Sequence, residues 1–113
     1  MKKKIKVKIK NDEEEQENIY SSIFSENQIQ YIEKKNTKVK VNRKDFILTR
    51  ENEDMKMEYF FKEKKGSLFL KKYKRVLPIV LKVKKITNEK EKLIIEYEVE
   101  NMHFYYSIDW RKI

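Results

Sequence analysis

Lys4-Ile5-Lys6-Val7-Lys8-Ile9-Lys10 alternates a lysine with a β-branched apolar residue at every step. Because successive side chains of an extended strand point to opposite sides, this period of two puts Ile5, Val7 and Ile9 on one face and the lysines on the other. A helix would distribute the same apolar residues around its whole circumference. The stretch therefore predicts a β-strand with one face in a core and the other in water.

The same alternation recurs along most of the chain, up to the run in which Phe104, Tyr106 and Ile108 alternate with polar residues. Short polar stretches separate the alternating segments, at 11–17, 25–27, 34–36, 42–45, 51–54, 62–66, 74–75, 87–92 and 100–102. Most of them contain Asn, which tolerates left-handed turn conformations, and the single Gly66 is predicted to lie in a turn. About eight to ten short strands at even spacing predict an all-β, antiparallel meander β-barrel, formed by one domain over residues 1–113.

The composition favours strands and excludes several kinds of site. The chain has no Cys, one His and one Gly, which excludes disulfides, thiolate or multi-histidine metal sites and glycine-rich phosphate loops. We therefore expect no metal and no cofactor. The basic start lacks the apolar run of a leader peptide, and no apolar stretch is long enough to span a membrane, so we expect a cytoplasmic protein.

Residues 17–35 fit two patterns. Strand alternation continues through them, but Ile19, Tyr20, Ile23 and Phe24 also fit a helical stripe that follows an acidic run. We favour strands, and a helix remains the alternative.

Several short motifs occur in one order over roughly residues 5–110. They are Tyr31-Ile32-Glu33, Leu48-Thr49-Arg50, Met57-Glu58-Tyr59, Val76-Leu77-Pro78-Ile79 and Ile95-Glu96-Tyr97. In this order they resemble the YwiB-like family, small uncharacterised bacterial proteins with a calycin-like barrel. The resemblance implies a calycin- or lipocalin-like fold and no established activity. The chain departs from the family pattern at Lys72-Tyr73-Lys74-Arg75, where the family has a Thr-Pro-aromatic-Gly turn, and at Asn52, where it often has Gly.

A charged pair is predicted at one end of the barrel. In a meander, the strands expected at 28–33, 46–50 and 67–73 end on the same side, and alternation directs Glu33 and Arg50 inward, with Tyr31 one layer deeper. One hypothesis is a small non-catalytic binding module, in which Arg50 pairs with a small polar or anionic ligand and Glu33 holds Arg50 in place. The alternative is that Glu33 and Arg50 simply neutralise each other.

A basic surface suggests a second function. The formal net charge is +9, and six basic residues are expected on adjacent strands: Lys71, Lys72, Lys74, Arg75, Lys82 and Lys84. With Phe69 or Tyr73 facing outward, such a surface is typical of proteins that track a phosphate backbone and stack on bases. It would suit a nucleic-acid or ribosome-associated accessory protein. The alternative is that lysine is simply the default solvated residue of this chain, because base readers favour Arg.

No catalytic group is expected. The acidic run at 12–17 lacks the ligand spacing of a calcium loop and is predicted to be a solvated hairpin loop that balances the lysines before it. His103 and Ser107 lie four residues apart on one predicted strand, or about 13 Å, which is too far for a nucleophile and its base. The chain is expected to be a monomer or a homodimer.

Overall fold

The computed structural model describes residues 1–111, which form ten β-strands and one short 3-10 helix, Lys34–Asn36. The strands are β1 (Lys2–Asn11), β2 (Glu15–Phe24), β3 (Gln28–Glu33), β4 (Thr37–Asn42), β5 (Ile47–Glu51), β6 (Met55–Phe60), β7 (Lys65–Leu70), β8 (Arg75–Asn88), β9 (Lys92–Val99) and β10 (Met102–Asp109). Each pairs antiparallel with its neighbours in sequence, and β1 pairs with β10 to close the barrel. The predicted antiparallel meander barrel is confirmed. Within residues 17–35 the chain forms most of β2 and all of β3, as favoured over the helical alternative, and only residues 34–35 belong to the short 3-10 helix. No helix of residues 1–111 is long and apolar enough to cross a membrane.

The core is built by the inward faces that alternation predicts. Ile5, Leu48, Ile95 and Ile108 are buried almost completely, and each such side chain stabilises the fold by about 1.5–3 kcal/mol. Large rings fill the middle of the barrel. The ring of Tyr97, for example, lies 5.1 Å from that of Phe61 and 5.3 Å from that of Phe104 between centroids.

Asparagines close three hairpins in the same way. The side-chain oxygens of Asn11, Asn42 and Asn52 each accept hydrogen bonds from the backbone N–H groups two and three residues later, at 2.8–3.1 Å. The role expected of Asn in the turns is confirmed at these positions.

Gly66 does not lie in a turn as predicted, and the strand predicted at 67–73 begins and ends earlier in the chain. Gly66 is the second residue of β7, which begins at Lys65 and ends at Leu70. A Cβ at this position would lie 2.7 Å from the carbonyl oxygen of Glu58 and 2.8 Å from the ring of Tyr59. Glycine is needed here because β6 and the Tyr59 ring lie directly against the backbone, not because a turn requires it.

The barrel has two seams along which neighbouring strands separate. β2 pairs with β3 only through its last residues, from Ser22 opposite Tyr31 to Phe24 opposite Ile29. β8 pairs with β9 only from Leu81 onward, so residues 75–80 have β7 as their one neighbour. The second seam arises because β9 ends in a tight turn, with Glu100 and Asn101 at φ 49° and 68°.

Candidate functional site

Glu33 and Arg50 lie together at the end of the barrel, as alternation predicted. Arg50 Nε is 3.2 Å from Glu33 Oε1, and the two side chains are 20% and 18% exposed. In the register, Val39 of β4 lies between Tyr31 and Arg50, and Glu33 lies opposite Thr37 at the end of the same strand pair. Nε and Nη2 of Arg50 are buried and lack a hydrogen-bond acceptor among the described residues, so the contact with Glu33 is an ion pair that is not aligned as a hydrogen bond.

Tyrosines surround the buried guanidinium. The hydroxyls of Tyr31 and Tyr106 are hydrogen-bonded at 2.8 Å, and Arg50 Cζ lies 5.8 Å from the centre of the Tyr106 ring. Burial raises the pKa of the Tyr31, Tyr97 and Tyr106 hydroxyls well above the usual value. Burial is the largest single influence on the pKa of Arg50 and lowers it, but the Glu33 carboxylate and the neighbouring tyrosine hydroxyls together outweigh it, so the net shift in the pKa of Arg50 is upward. The barrel end therefore encloses a permanent cation above a layer of neutral phenols.

A cleft opens beside this pair, where β2 separates from β3. We call it the seam cleft; its volume is about 480 Å³, and it is lined by Gln16, Glu17, Asn18, Tyr20, Glu33, Lys34 and Thr37. Glu33 forms part of its wall, whereas Tyr31 and Arg50 do not line it.

The structure places Glu33, and not Arg50, next to the cleft. The sequence-based hypothesis turned Arg50 toward a ligand and put Glu33 behind it. In the structure Glu33 faces the cleft, and the long side chain of Arg50 turns inward beneath it, toward Tyr106.

Sequence reasoning missed most of the residues that line the cleft. Gln16 was assigned to a loop because the acidic run hid the start of β2 at Glu15. Asn18, Tyr20 and Thr37 carry no motif, and they come together only because β2 leaves β3. Their one signal was the alternation of Gln16, Asn18 and Tyr20, which places all three on the inner face.

The acidic run was predicted to be a loop, and this was wrong for its second half. Glu15 and Glu17 lie on β2 next to the lysines of β1, with Glu15 2.7 Å from Lys8 and Glu17 3.8 Å from Lys6. The hydrogen bond from Lys8 lowers the pKa of Glu15. The expected balance between these glutamates and the preceding lysines is present, but it forms between two paired strands and not in a loop.

Residues 1–111 contain no group of three or more His, Asp or Glu side chains placed to hold a metal ion.

The six basic residues predicted to cluster occupy two separate regions. Lys71, Lys72 and Lys74 lie in the turn before β8, where Arg75 begins the strand. Lys82 and Lys84 lie farther along β8, and Lys84 follows Arg75 by nine positions, or about 30 Å of strand.

Two of these six basic residues are engaged by other side chains. Lys71 Nζ is 2.9 Å from Glu51, and Lys84 Nζ is 2.7 Å from Nδ1 of His103. The turn itself presents Tyr73, which is 70% exposed. The cations available to a partner are therefore concentrated at the turn.

Comparison of the chain with protein-family models, with curated proteins and with solved structures gave no match. The resemblance to the YwiB-like family stays a prediction carried by the short motifs quoted above.

Proposed function

We propose that this protein is a small non-catalytic binding module whose seam cleft accepts a small polar or anionic ligand. The observation that carries the proposal is the position of the cleft directly against Glu33, whose carboxylate is paired with a buried arginine. Binding sites commonly combine a concave surface with a few convergent polar groups on a rigid frame. The neighbouring barrel core supplies that frame.

The chemistry of the lining supports a polar ligand. Carboxamides from Gln16 and Asn18 both donate and accept hydrogen bonds, as do the hydroxyls of Tyr20 and Thr37. For an anionic ligand, Lys34 offers one positive charge at the rim. Arg50 offers a second to any oxyanion that displaces the Glu33 carboxylate, and its two unpaired N–H donors would then gain acceptors.

Titration of the isotope-labelled protein with acetate, phosphate, guanidinium and glycerol tests the proposal. We expect at least one of these probes to shift the NMR signals of Tyr20, Glu33 and Thr37 in a saturable way, and Glu33→Gln to change which probe binds. The matched control is Glu58→Gln, on the outer face of β6 and away from the cleft. If no probe moves these signals, the cleft does not bind small polar molecules and the proposal fails.

The second candidate is a nucleic-acid or ribosome-associated role for the turn at 71–74. The specific observation in its favour is an exposed tyrosine among basic residues, with Lys72 Nζ 5.8 Å from the centre of the Tyr73 ring. Among the described residues, three cations of this region form no ion pair: Lys72, Lys74 and Arg75. If each contacts one phosphate, the logarithm of the RNA-binding constant should fall with the logarithm of salt concentration with a slope of about −2. Absence of RNA binding at low salt would exclude this role.

A further inference from the structure

One edge of β2 carries backbone groups that no neighbouring strand uses. The N–H of Phe24 donates to the carbonyl of Met1 at 2.7 Å, and the β1–β2 register continues unbroken from there to Glu15 opposite Lys10. In an antiparallel pair, successive residues direct their N–H and C=O groups to opposite sides. The even-numbered residues of β2 therefore bond to β1, and the odd-numbered residues face β3.

From Ser22 back to the start of β2, the odd-numbered residues have no strand on the side that faces β3. The N–H and C=O groups of Glu15, Glu17 and Ile19 point into the seam, and no partner for them is found within residues 1–111. We call residues 15–21, on the side that faces β3, the open edge. Unpaired strand edges are templates for pairing with another chain, which proteins usually block.

At the other seam, the exposed edge of β8 is blocked by a proline. The N–H of Leu81 donates to Lys64 at 3.2 Å, toward β7, so on β8 the even-numbered residues face the free side. Pro78 is one of these, and it has no N–H to offer. A proline therefore interrupts the exposed edge of β8 at its middle, whereas residues 15–21 contain no proline.

The surroundings of the open edge leave room for an extended chain. The seam cleft runs along it, and an added strand would lie about 4.8 Å from β2, inside that space. A second cleft of about 280 Å³, which includes Ile32, lies where β2 and β3 diverge. Ile19 and Ile32 are 56% and 57% exposed and flank the outer side of the seam.

We propose that the open edge of β2 binds an extended segment of a partner protein as an added strand. This rests on the proposed function, because the same cleft would hold the segment. Cross-strand neighbours set the chemistry of the segment. Glu15 and Glu17 call for basic residues, such as the lysines Lys8 and Lys6 of β1 that already contact them diagonally, and Ile19 calls for apolar residues. The inward-facing side chains of the bound segment would contact the polar groups of the seam cleft. A second copy of this chain fits less well. If two open edges paired antiparallel with Asn18 opposite Asn18, each Glu17 would lie opposite an Ile19 of the other copy, and a charged residue would face an apolar one at two positions.

The test uses a capped seven-residue peptide with valine opposite Ser21 and Ile19, lysine opposite Glu17 and Glu15, and threonine between them. At about 100 times the dissociation constant, amide exchange at Glu15, Glu17 and Ile19 should slow by up to about 100-fold, because these groups exchange only from the free fraction. Exchange at Gln16 and Asn18, which already donate to β1, should not change. The same peptide with N-methyl groups on its valines and lysines should give no protection.

Ile19→Pro supplies a variant of the protein for the same test. It removes an N–H that faces the seam and leaves the β1 bonds intact, and Pro78 shows that a strand of this barrel accepts proline at such an edge position. The variant should keep the circular dichroism of the wild type and lose peptide binding. If Ile19→Pro does not fold, the N-methylated peptide still decides the question.

Each outcome counts for or against strand addition. Protection confined to the odd-numbered residues of β2 supports it. Shifts at Tyr20, Glu33 and Thr37 without protection of the edge overturn it but leave binding in the cleft standing. Protection at Val76 and Val80 of β8 instead, or a doubling of mass without peptide, overturns it in favour of another edge or a second copy. No response to the peptide also overturns it, and the small-probe titration then decides separately whether the cleft binds anything.

Discussion

Replacing Glu33 with glutamine would remove the charge that faces Arg50 and keep the shape of the side chain. The guanidinium would stay in its buried position with Nε and Nη2 still lacking hydrogen-bond acceptors. We expect a large loss of stability, because an uncompensated buried charge is among the most destabilising features of a fold.

The magnitude follows from the geometry of the pair. At 3.2 Å and an effective dielectric constant of about 20, the gross attraction is about 5 kcal/mol. Breaking a fully buried pair costs about 3–5 kcal/mol. Because about a fifth of each side chain contacts water, we expect the lower end, about 3 kcal/mol, or a fall in Tm of roughly 12 °C for a chain of this size.

Urea unfolding followed by circular dichroism measures the loss, with Glu58→Gln as the control, expected to lie within about 0.5 kcal/mol of the wild type. The double variant Glu33→Leu, Arg50→Met should recover most of the stability, since apolar replacement of a buried pair is often neutral. A loss below about 1 kcal/mol for Glu33→Gln, or a double variant no more stable than the single one, would refute the description of Arg50 as a buried cation that depends on Glu33.

The remaining predictions concern the tyrosine pair, Gly66 and the basic turn. Tyr31→Phe leaves the Tyr106 hydroxyl without its partner and should cost about 1–3 kcal/mol in urea unfolding, whereas the double variant with Tyr106→Phe should cost less than the sum of the two single changes. Because burial raises the pKa of both hydroxyls, the folded chain keeps protons that the unfolded chain loses, so the free energy of unfolding should fall as pH rises through about 10, and a flat profile would contradict this. Gly66→Ala should cost about 1–3 kcal/mol because the new methyl group meets Tyr59, and an unchanged Tm would show that the strands have room. Tyr73→Ala should weaken single-stranded RNA binding by about 1–3 kcal/mol in fluorescence anisotropy if the turn stacks on bases, and equal affinity of variant and wild type would count against that role.

Part of the candidate site could be predicted because alternation is a local rule. Glu33 follows Tyr31 by two residues, and Arg50 follows Leu48 by two, so each inherits the inward direction of a buried neighbour. A meander then fixes which strand ends meet. These two facts suffice to place Glu33 beside Arg50 without any knowledge of the packing.

Which side chain of the pair faces the cleft, and how far the cleft extends, could not be predicted in this way. Whether Arg50 turns toward solvent or toward Tyr106 depends on the space left by residues far away in sequence. The start of β2 at Glu15 depends on lysines of β1 that stabilise glutamates across the strand pair. Gly66 was assigned to a turn because a single glycine usually marks one, but here its backbone is covered by the ring of Tyr59 from the preceding strand, β6.

By itself the sequence determined that this chain is a succession of short strands, each with one apolar face and one solvent-exposed face, joined by asparagine-rich turns. The reason is that side-chain direction in an extended chain depends only on the parity of the residue. The tertiary structure alone decided where neighbouring strands part, because closing a barrel staggers its strands and leaves some edges without a partner. That stagger leaves the β2 edge open beside Glu33, while the matching edge of β8 is interrupted by Pro78.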